Sequence, residues 1–379
     1  MSEATPETTL LMTPGPTRVP ERVLRAGARP MIHHRSPEFS RELATAVELL
    51  RPVFGTRETP LPVHTTGRGA LEATICNLFS PGDEIAVCCN GKFGEMWAGF
   101  AESYGVTVHR FSTSWERDAD ASELEQLLGR HPAVRAVALA FVDTSTGVAN
   151  DIPGIARVAR AHGALVLVDG IPSIGGMPFM FDEWELDVAI TASQKCLMSS
   201  PGLSWAVVSE RGWHAVASSR LTRHYWDFAA IRRTISAPKP ETPGTTPVHI
   251  VLQVAEALRA MHEEGLANVY ERHEAMARRV RAGVTELGLS MQCVSLERRA
   301  ATVTAIALPS GVEPRAIRDP LKARGVWTAA GLGPYERGGF RIGHMGDIRM
   351  TDVERTLSAL REVLATAPDG GTMAAVSAR

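Results

Sequence analysis

Hydrophobic residues follow two alternating patterns through the first half of the chain. Short continuous apolar runs are typical of buried strands, and longer segments with apolar residues three or four positions apart are typical of amphipathic helices. The predicted strands cover residues 61–64, 84–89, 106–111, 134–141, 165–168, 186–190 and 205–208. The predicted helices cover residues 36–54, 69–79, 93–104, 121–128 and 153–162. This alternation predicts a mostly parallel sheet covered by helices, with ligands at the carboxyl ends of the strands.

The pattern changes after residue 210. Two long helices are predicted over residues 246–264 and 267–287, followed by a strand, a helix, a strand and a last helix over residues 301–308, 314–323, 339–343 and 351–366. This is typical of a second, smaller α+β unit. We therefore predict an N-terminal arm (1–18), a large α/β domain (19–264), a small C-terminal α+β domain (265–367) and a flexible tail (368–379).

Composition excludes several classes of function. The 379 residues include 40 Lys+Arg against 42 Asp+Glu, a net charge of −2 with no basic run, so no nucleic-acid partner is expected. No apolar run reaches the ~18 residues of a membrane helix, and no membrane partner is expected. The five cysteines have no metal-ligand spacing, so we predict reduced thiols and no metal site. The polar, acidic N-terminus is unlike a signal peptide, and the expected location is the cytoplasm.

Lys195 stands just past one of the predicted buried strands, in Thr191-Ala-Ser-Gln-Lys195. A lysine is rarely sheltered without a partner. One reason to place it there is a Schiff base, because a sheltered, electropositive site lowers the pKa of the amine and leaves it neutral for attack on a carbonyl. A lysine on a surface turn is an equally open interpretation of this stretch alone.

Two further groups at predicted strand ends change that balance. Asp169 ends a buried strand, where it could simply cap the next turn, and Thr65-Thr-Gly-Arg-Gly69 lies between a strand and a helix, where it could cradle a phosphate or simply turn. Pyridoxal 5′-phosphate (PLP) needs a lysine for its aldehyde, an acid for its ring nitrogen and a cradle for its phosphate. The three together favour PLP as the cofactor.

Three more residues are candidates for the same site. Arg341, in the predicted strand over residues 339–343, could bind a substrate carboxylate through its planar guanidinium or form an internal salt bridge. A hydroxyl of Thr144 could reach the phenolic oxygen of the cofactor. Phe93 could stack on its ring, although an aromatic residue at a helix start more often belongs to the core.

The chain resembles a class V, fold-type I PLP-dependent aminotransferase of the alanine/serine/aspartate–glyoxylate group. The stretches that carry the resemblance span most of the chain in family order: Thr13-Pro-Gly-Pro-Thr17, His34-Arg-Ser-Pro37, Thr66-Gly-Arg-Gly-Ala-Leu-Glu-Ala73, Asn90-Gly-Lys-Phe-Gly94, Thr144-Ser-Thr-Gly147, Val168-Asp169, Ser193-Gln-Lys195, Thr245-Thr-Pro-Val248, Gly331-Leu-Gly-Pro334 and Phe340-Arg-Ile-Gly343. The resemblance implies a mostly parallel seven-stranded sheet, a homodimer with active sites at its interface, and ping-pong transfer of an amino group to a small 2-oxo acid such as glyoxylate.

The resemblance also implies a role for each matched residue. Lys195 would form the Schiff base and move the proton of the substrate, and Asp169 would pair with the pyridine nitrogen. The remaining cofactor contacts would come from Thr66, Gly67, Arg68 and Gln194 at the phosphate, Phe93 at the ring, Thr144 at the phenolic oxygen and Thr245 at the phosphate of the neighbouring subunit. Arg341 would bind the α-carboxylate, and Gly15 is assigned to substrate binding with it.

Some positions depart from the family pattern and leave the substrate open. Gly244 stands where a tyrosine is frequent before the threonine, and Phe141-Val-Asp143 replaces the usual approach to Thr144. Serine, alanine, aspartate, ureidoglycine or a specialised amine could be the donor, with Arg18, Arg35 and Arg68 as candidates by location for a second carboxylate. The alternatives are a PLP-dependent lyase or desulfurase, a specialised biosynthetic aminotransferase, and a cofactor-binding protein without turnover.

Overall fold

The computed structural model describes residues 9–366, within which the chain forms fourteen strands and twelve α-helices. The strands are β1 Leu10–Met12, β2 Leu61–Val63, β3 Glu84–Cys88, β4 Thr107–Phe111, β5 Val134–Ala140, β6 Val142–Asp143, β7 Val148–Ala149, β8 Leu165–Asp169, β9 Val188–Ala192, β10 Ser204–Val208, β11 Ser290–Met291, β12 Val303–Ala307, β13 Val326–Ala330 and β14 Gly339–Gly343. The helices are α1 Glu21–Gly27, α2 Pro37–Phe54, α3 Gly67–Leu78, α4 Lys92–Ser103, α5 Ala121–Arg130, α6 Ile152–Ala161, α7 Glu210–Ser218, α8 Phe228–Ile235, α9 Val248–Glu264, α10 Leu266–Glu286, α11 Pro314–Ala323 and α12 Met350–Thr366. The predicted tail, 368–379, lies outside the described residues.

A seven-stranded sheet forms the centre of the larger unit, with the strand order β2-β10-β9-β8-β5-β3-β4. The strands from β9 to β4 run parallel, and β10 runs antiparallel to both of its neighbours. The predicted mostly parallel seven-stranded sheet is therefore confirmed. Its central strands are buried on both faces, which explains why they appear in the sequence as continuous apolar runs.

Several helices of this unit begin at a residue whose side chain accepts a hydrogen bond from an amide of the first turn. Ser36 accepts the amide of Phe39 at the start of α2, and Asp120 accepts two amides at the start of α5. Helix α2 buries an apolar face that includes Leu43 and Leu50 against α9. These contacts fix the positions of the helices around the sheet.

The smaller unit is a five-stranded sheet with the order β1-β13-β14-β12-β11. Strand β1, from the predicted N-terminal arm, pairs parallel with β13, and the other pairs are antiparallel. Leu10 and Met12 belong to the hydrophobic cluster that helices α10, α11 and α12 form with this sheet. The domain boundaries given above remain a prediction. Two domains would each need a hydrophobic core, and the described residues contain two large separate hydrophobic clusters.

Most of the predicted elements are present within a few residues of their expected bounds, and some features were missed. Strands β1 and β13, the β6–β7 hairpin and helices α1, α7 and α8 were not predicted. The apolar stretch over residues 289–294 is typical of a strand, but only Ser290 and Met291 pair, and Cys293 follows the strand. Among residues 9–366 no helix is both long enough and apolar enough to cross a bilayer.

Candidate active site

The loop after β9 places Lys195 at the carboxyl end of the large sheet. The amide of Ser193 donates to the carbonyl of Leu203 at 2.9 Å, and the amide of Met198 donates to the carbonyl of Lys195 at 3.0 Å. The hydroxyl of Ser193 donates to the carbonyl of Ser200 at 2.6 Å. These bonds hold the loop on both sides of the lysine, so its side chain is presented from a fixed main chain.

The amine of Lys195 is sheltered in an electropositive place. Its Nζ donates a hydrogen bond to the carbonyl oxygen of Pro14. Burial, and after it the nearby positive charge of Arg341, lower the pKa of Lys195 to about 8, although the Asp169 carboxylate acts in the opposite direction. An ordinary lysine, with a pKa of about 10.4, is neutral only about once in a thousand molecules at pH 7.4. The site therefore holds an amine with a large neutral fraction near neutral pH.

The N-terminal arm covers this lysine. The amide of Thr17 donates to the carbonyl of Gln194 at 3.1 Å, and its hydroxyl donates to the carbonyl of Lys195 at 3.0 Å. Gly15 has a φ of +123°, and a Cβ built on it would lie 2.5 Å from Nζ of Lys195. Only glycine therefore fits here, both in conformation and in space. The sequence placed Gly15 at the substrate, and the structure brings it against the lysine.

Asp169 ends β8, next to the strand that leads to Lys195. One oxygen of its carboxylate accepts the amide of Ile171 at 2.8 Å, and the residue is 1% exposed. Burial raises the pKa of Asp169 to about 7, while the Ile171 amide and Lys195 partly oppose that rise. Among residues 9–366 no cationic side chain donates a hydrogen bond to this carboxylate, so a protonated ring nitrogen would be a favourable partner.

The start of helix α3 lies beside this acid. Thr66 is the N-terminal cap residue, but no side chain among residues 9–366 accepts the first amides of the helix. A Cβ on Gly67 would lie 2.5 Å from Cδ1 of Ile171, so glycine is what allows the helix start to approach the turn after Asp169. Free amides at a helix N-terminus are a favourable site for a phosphate. The predicted cradle and the predicted acid are thus neighbours.

The other two residues of the predicted cradle differ in how they are placed. The Oε1 atom of Gln194 is buried and has no hydrogen-bond partner among the described residues. A carboxamide can rotate to present its amino group, so Gln194 suits an anion. Arg68 is exposed, and its guanidinium instead lies over the ring of Phe100, 5.8 Å from the ring centroid. Its side chain is directed to this ring, so we infer that any phosphate contact would come from its main-chain amide.

Arg341 lies in β14 and is 9% exposed. Its Nε donates to the carbonyl of Ala330 at 2.8 Å, and one terminal nitrogen donates to the carbonyl of Thr144 at 3.0 Å. Burial lowers the pKa of Arg341 to about 10, with Asp143 opposing the change. No carboxylate within residues 9–366 forms an ion pair with it, so the internal salt bridge considered from the sequence is absent there. A buried guanidinium held only by carbonyls is suited to an anionic substrate.

Asp143 organises the site and was not among the predicted site residues. It is fully buried, and one carboxylate oxygen accepts the amide of Phe93 at 2.9 Å while the other accepts the amide of Ser145 at 2.9 Å. Burial raises the pKa of Asp143, and these hydrogen bonds counter the rise. It thereby ties the loop that carries Thr144 to the start of helix α4, where Phe93 lies half-buried. A carboxylate at the end of a buried strand, directly before Thr144, was the available signal.

Replacing Asp143 with alanine is expected to lower the free energy of unfolding by about 2–3 kcal/mol, because the buried amide of Ser145 and the partly buried amide of Phe93 lose their acceptor. Thermal unfolding of the variant would measure this. The matched control is Asp120→Ala, which removes an exposed cap of α5 and should cost only about 1 kcal/mol. Equal losses in the two variants would contradict the role given to Asp143.

Thr245 is not brought to the other site residues by any described contact. It lines a separate cavity of about 560 Å³ together with the segments 31–34 and 246–250. This placement is compatible with a contact to a neighbouring subunit, and that contact remains a prediction. Met31, at the edge of the same cavity, is 67% exposed.

The arginines considered for a second carboxylate have other contacts. Arg18 donates to Asp347 at 3.2 Å and to Asp352 at 3.3 Å. Arg35 forms an ion pair with Glu241. Together with the stacking of Arg68 described above, these contacts occupy all three candidates within one chain.

Comparison with known proteins identifies the family of this chain. The model of the family "Aminotransferase class-V" matches residues 10–335. The chain belongs to this family. This aminotransferase is 37% identical in sequence to a protein named "Soluble hydrogenase, small subunit" from Synechococcus sp. (strain PCC 6716). The alignment covers 94% of this chain and 93% of that protein. It is 34% identical to the L-aspartate–glyoxylate aminotransferase of Paracoccus denitrificans, over 89% and 86%.

The fold of this aminotransferase is likewise found among solved structures. The alanine–glyoxylate aminotransferase from Nostoc sp. superposes with a TM-score of 0.89, at 32% identity, over 94% of this chain and 95% of that one. Predictions of the family and of the fold class are therefore confirmed. The two glyoxylate aminotransferases are named for different amino donors, aspartate and alanine. Aspartate has a second carboxylate, and alanine does not.

Class V aminotransferases use PLP, and the residues of this one fit the cofactor. The fit rests on the unpartnered Gln194 oxygen, the uncapped start of α3 and a buried acid without a cationic partner. The amides at the start of α3, and the amino group of Gln194 once its carboxamide rotates, would donate hydrogen bonds to a bound phosphate, and Asp169 would accept one from a protonated ring nitrogen. Lys195, with its lowered pKa, is the amine that the aldehyde of PLP requires.

Proposed function

We propose that this aminotransferase binds PLP and moves the amino group of a small amino acid with one carboxylate to a 2-oxo acid such as glyoxylate, in a ping-pong cycle. The observation that carries the proposal is that Lys195 and Asp169, at the carboxyl ends of the neighbouring strands β9 and β8, lie near Arg341 of strand β14 in the smaller sheet. Their charges act on one another, since Arg341 and Asp169 both influence the pKa of Lys195. Alanine and serine are the expected donors.

Bound PLP would supply a ring that withdraws electrons from the α-carbon of the substrate. Asp169, in its buried position, would keep a proton on the ring nitrogen. Thr66, Gly67, the amide of Arg68 and Gln194 would hold the phosphate, Phe93 would lie against the ring and Thr144 near the phenolic oxygen. The guanidinium of Arg341 would bind the α-carboxylate of donor and acceptor and so orient the substrate. Nζ of Lys195 would accept the proton from the α-carbon and return it, while Gly15 and the arm limit access of water.

Recognition of one carboxylate follows from the charges of the site. Arg341 is free of acidic partners among the described residues, whereas Arg18 and Arg35 are each engaged in ion pairs. A second carboxylate on the substrate would have to displace one of these pairs or remain unpaired. Leaving a buried charge unpaired costs about 3–5 kcal/mol, so aspartate should react poorly.

The test is the visible absorbance of the PLP-loaded protein while single amino acids are added without an acceptor. Alanine or serine should shift the band of the cofactor, and glyoxylate should then restore it. Aspartate at equal concentration should shift the band at a rate at least about 100-fold lower, because its second carboxylate would remain unpaired.

Two outcomes would count against parts of this proposal. Aspartate reacting as fast as alanine would refute recognition of a single carboxylate but not transamination. A band that no amino acid shifts, in protein that does carry PLP, would refute the proposed donors and favour a lyase or a specialised amine donor.

A desulfurase is disfavoured because Cys293 is buried. Burial raises the pKa of its thiol to about 11, so the thiol is a poor nucleophile.

The proposal includes a homodimer in the cytoplasm. Thr245 of the partner subunit would reach the phosphate, which the cavity beside exposed Met31 supports. All five cysteines are free thiols, as expected in a reducing compartment. A monomeric mass in sedimentation would contradict the dimer, and recovery outside the cytoplasmic fraction would contradict the location.

A further inference from the structure

Three potential metal ligands come together at the opposite end of the large sheet. Glu84 opens β3, His109 lies in the middle of the edge strand β4, and His131 follows the last residue of α5. One ligand atom from each lies within 4.8 Å of the others. We propose that these three side chains form a binding site for a zinc-like divalent transition-metal ion, with water completing the coordination.

The register of the sheet explains why the first two ligands meet. Strands β3 and β4 run parallel, and Glu84 pairs with Thr107 while Ala86 pairs with His109. Side chains two residues apart on a strand point to the same face, so Glu84 and His109 share a face. Nε2 of His109 lies 2.7 Å from Oε2 of Glu84. In the absence of metal this contact is a hydrogen bond, which a metal ion can replace once His109 carries its proton on Nδ1.

His131 is the residue that distinguishes this cluster from a simple ion pair. Its ring lies 3.9 Å from the ring of His109, centroid to centroid, at an angle of 30°. Among residues 9–366 neither ring nitrogen of His131 forms a hydrogen bond, so both are available as ligands. Its position at the end of α5 is fixed by its amide, which donates to the carbonyl of Leu127 at 2.9 Å.

The donor set indicates the kind of ion. Zinc binds imidazole nitrogen and carboxylate oxygen at about 2.0–2.2 Å, which places tetrahedral ligand atoms about 3.3 Å apart. The observed separations, all within 4.8 Å, reach that spacing by small side-chain rotations. Magnesium and calcium prefer oxygen ligands and are not expected to bind. The side chains are accessible to an ion, since His109 is 18% and Glu84 29% exposed.

The site is separate from the active site. Glu84 stands at the amino end of β3, whereas the loop that leads to Phe93 follows the carboxyl end of the same strand. A bound ion would connect the edge strand β4 and the end of α5 to β3. It would therefore stabilise this edge of the fold without contacting the catalytic groups.

The test is titration of the chelator-treated, PLP-loaded protein with Zn²⁺, followed by calorimetry and by the midpoint of thermal unfolding. One ion per chain should bind and raise the midpoint, and Mg²⁺ should do neither. His131→Ala and Glu84→Gln should each weaken binding by about tenfold or more. The matched control is His162→Ala, because His162 occupies the same position after α6 and is exposed but belongs to no such cluster in the described part of the chain. That variant should bind Zn²⁺ like the unaltered protein.

Cobalt provides a second readout that does not depend on stability or activity. Co²⁺ at this site should give the visible absorption of nitrogen and oxygen ligands, and the absorption should be lost in His131→Ala. Absence of binding, equal binding in His131→Ala and His162→Ala, or a thiolate-to-cobalt charge-transfer band would each overturn the proposal. The last result would assign the metal to cysteine.

Discussion

Lys195→Ala is expected to lose turnover by more than about 10⁴-fold, because the variant lacks both the amine that attacks the cofactor and the base that moves the proton of the substrate. The variant should still bind PLP, since the phosphate and the ring nitrogen have their own partners. Steady-state transamination and the absorbance of protein loaded with PLP would measure the two effects separately.

The matched control is Lys322→Ala, which removes a lysine that lies over the exposed ring of Trp327, 4.4 Å from its centroid. It should leave transamination unchanged. Small primary amines added to Lys195→Ala should restore part of the activity, because they can supply a base in the space left by the side chain. Full activity of Lys195→Ala without any added amine would refute the role of Lys195.

Arg341→Lys is expected to raise KM for the amino donor about 100-fold, with a smaller effect on kcat. Lysine keeps the positive charge but loses the planar fork, and a carboxylate left without good partners in a buried site costs about 3 kcal/mol. KM and kcat for alanine in the variant and in the unaltered protein would test this. Lysine is preferred to alanine here because Arg341 also holds the carbonyls of Ala330 and Thr144.

Arg318→Ala is the matched control for this experiment. Arg318 is half-buried near Arg341, and it donates to the carbonyl of Thr328 at 3.2 Å. Its removal should leave KM for the donor nearly unchanged. A fall in kcat of Arg341→Lys with no change in KM would contradict binding of the carboxylate by Arg341.

Much of the fold could be predicted from the sequence because its main strands are buried on both faces. Such strands leave continuous apolar runs, and the polar residues that end them, Asp169 and the stretch before Lys195, stand out against that background. Short paired segments such as β1 and β6 have too few residues for a period to be visible.

Contacts distant in sequence could not be predicted. Hydrophobic periodicity contains no information that the carbonyl of Pro14 accepts a hydrogen bond from Lys195, or that Arg18 pairs with Asp347. For the same reason Arg18 was a candidate for a substrate carboxylate by location alone, and the ion pair now gives it a different role. Asp143 was visible as a departure from the family pattern, but its role depends on amides of Phe93 and Ser145 that only the folded chain brings to it.

The pairing of β1 with β13 determines when the N-terminal arm can fold during synthesis of the chain. Leu10 pairs with Val326, so the first strand of the chain remains without its partner until the ribosome has made most of the chain. The larger sheet, from β2 to β10, is already complete in sequence by then. Because N-terminal units generally fold first during synthesis, the residues around Lys195 acquire their neighbours in the large sheet before the arm is fastened to the small one. The cover over the lysine is therefore among the last parts of the active site to form.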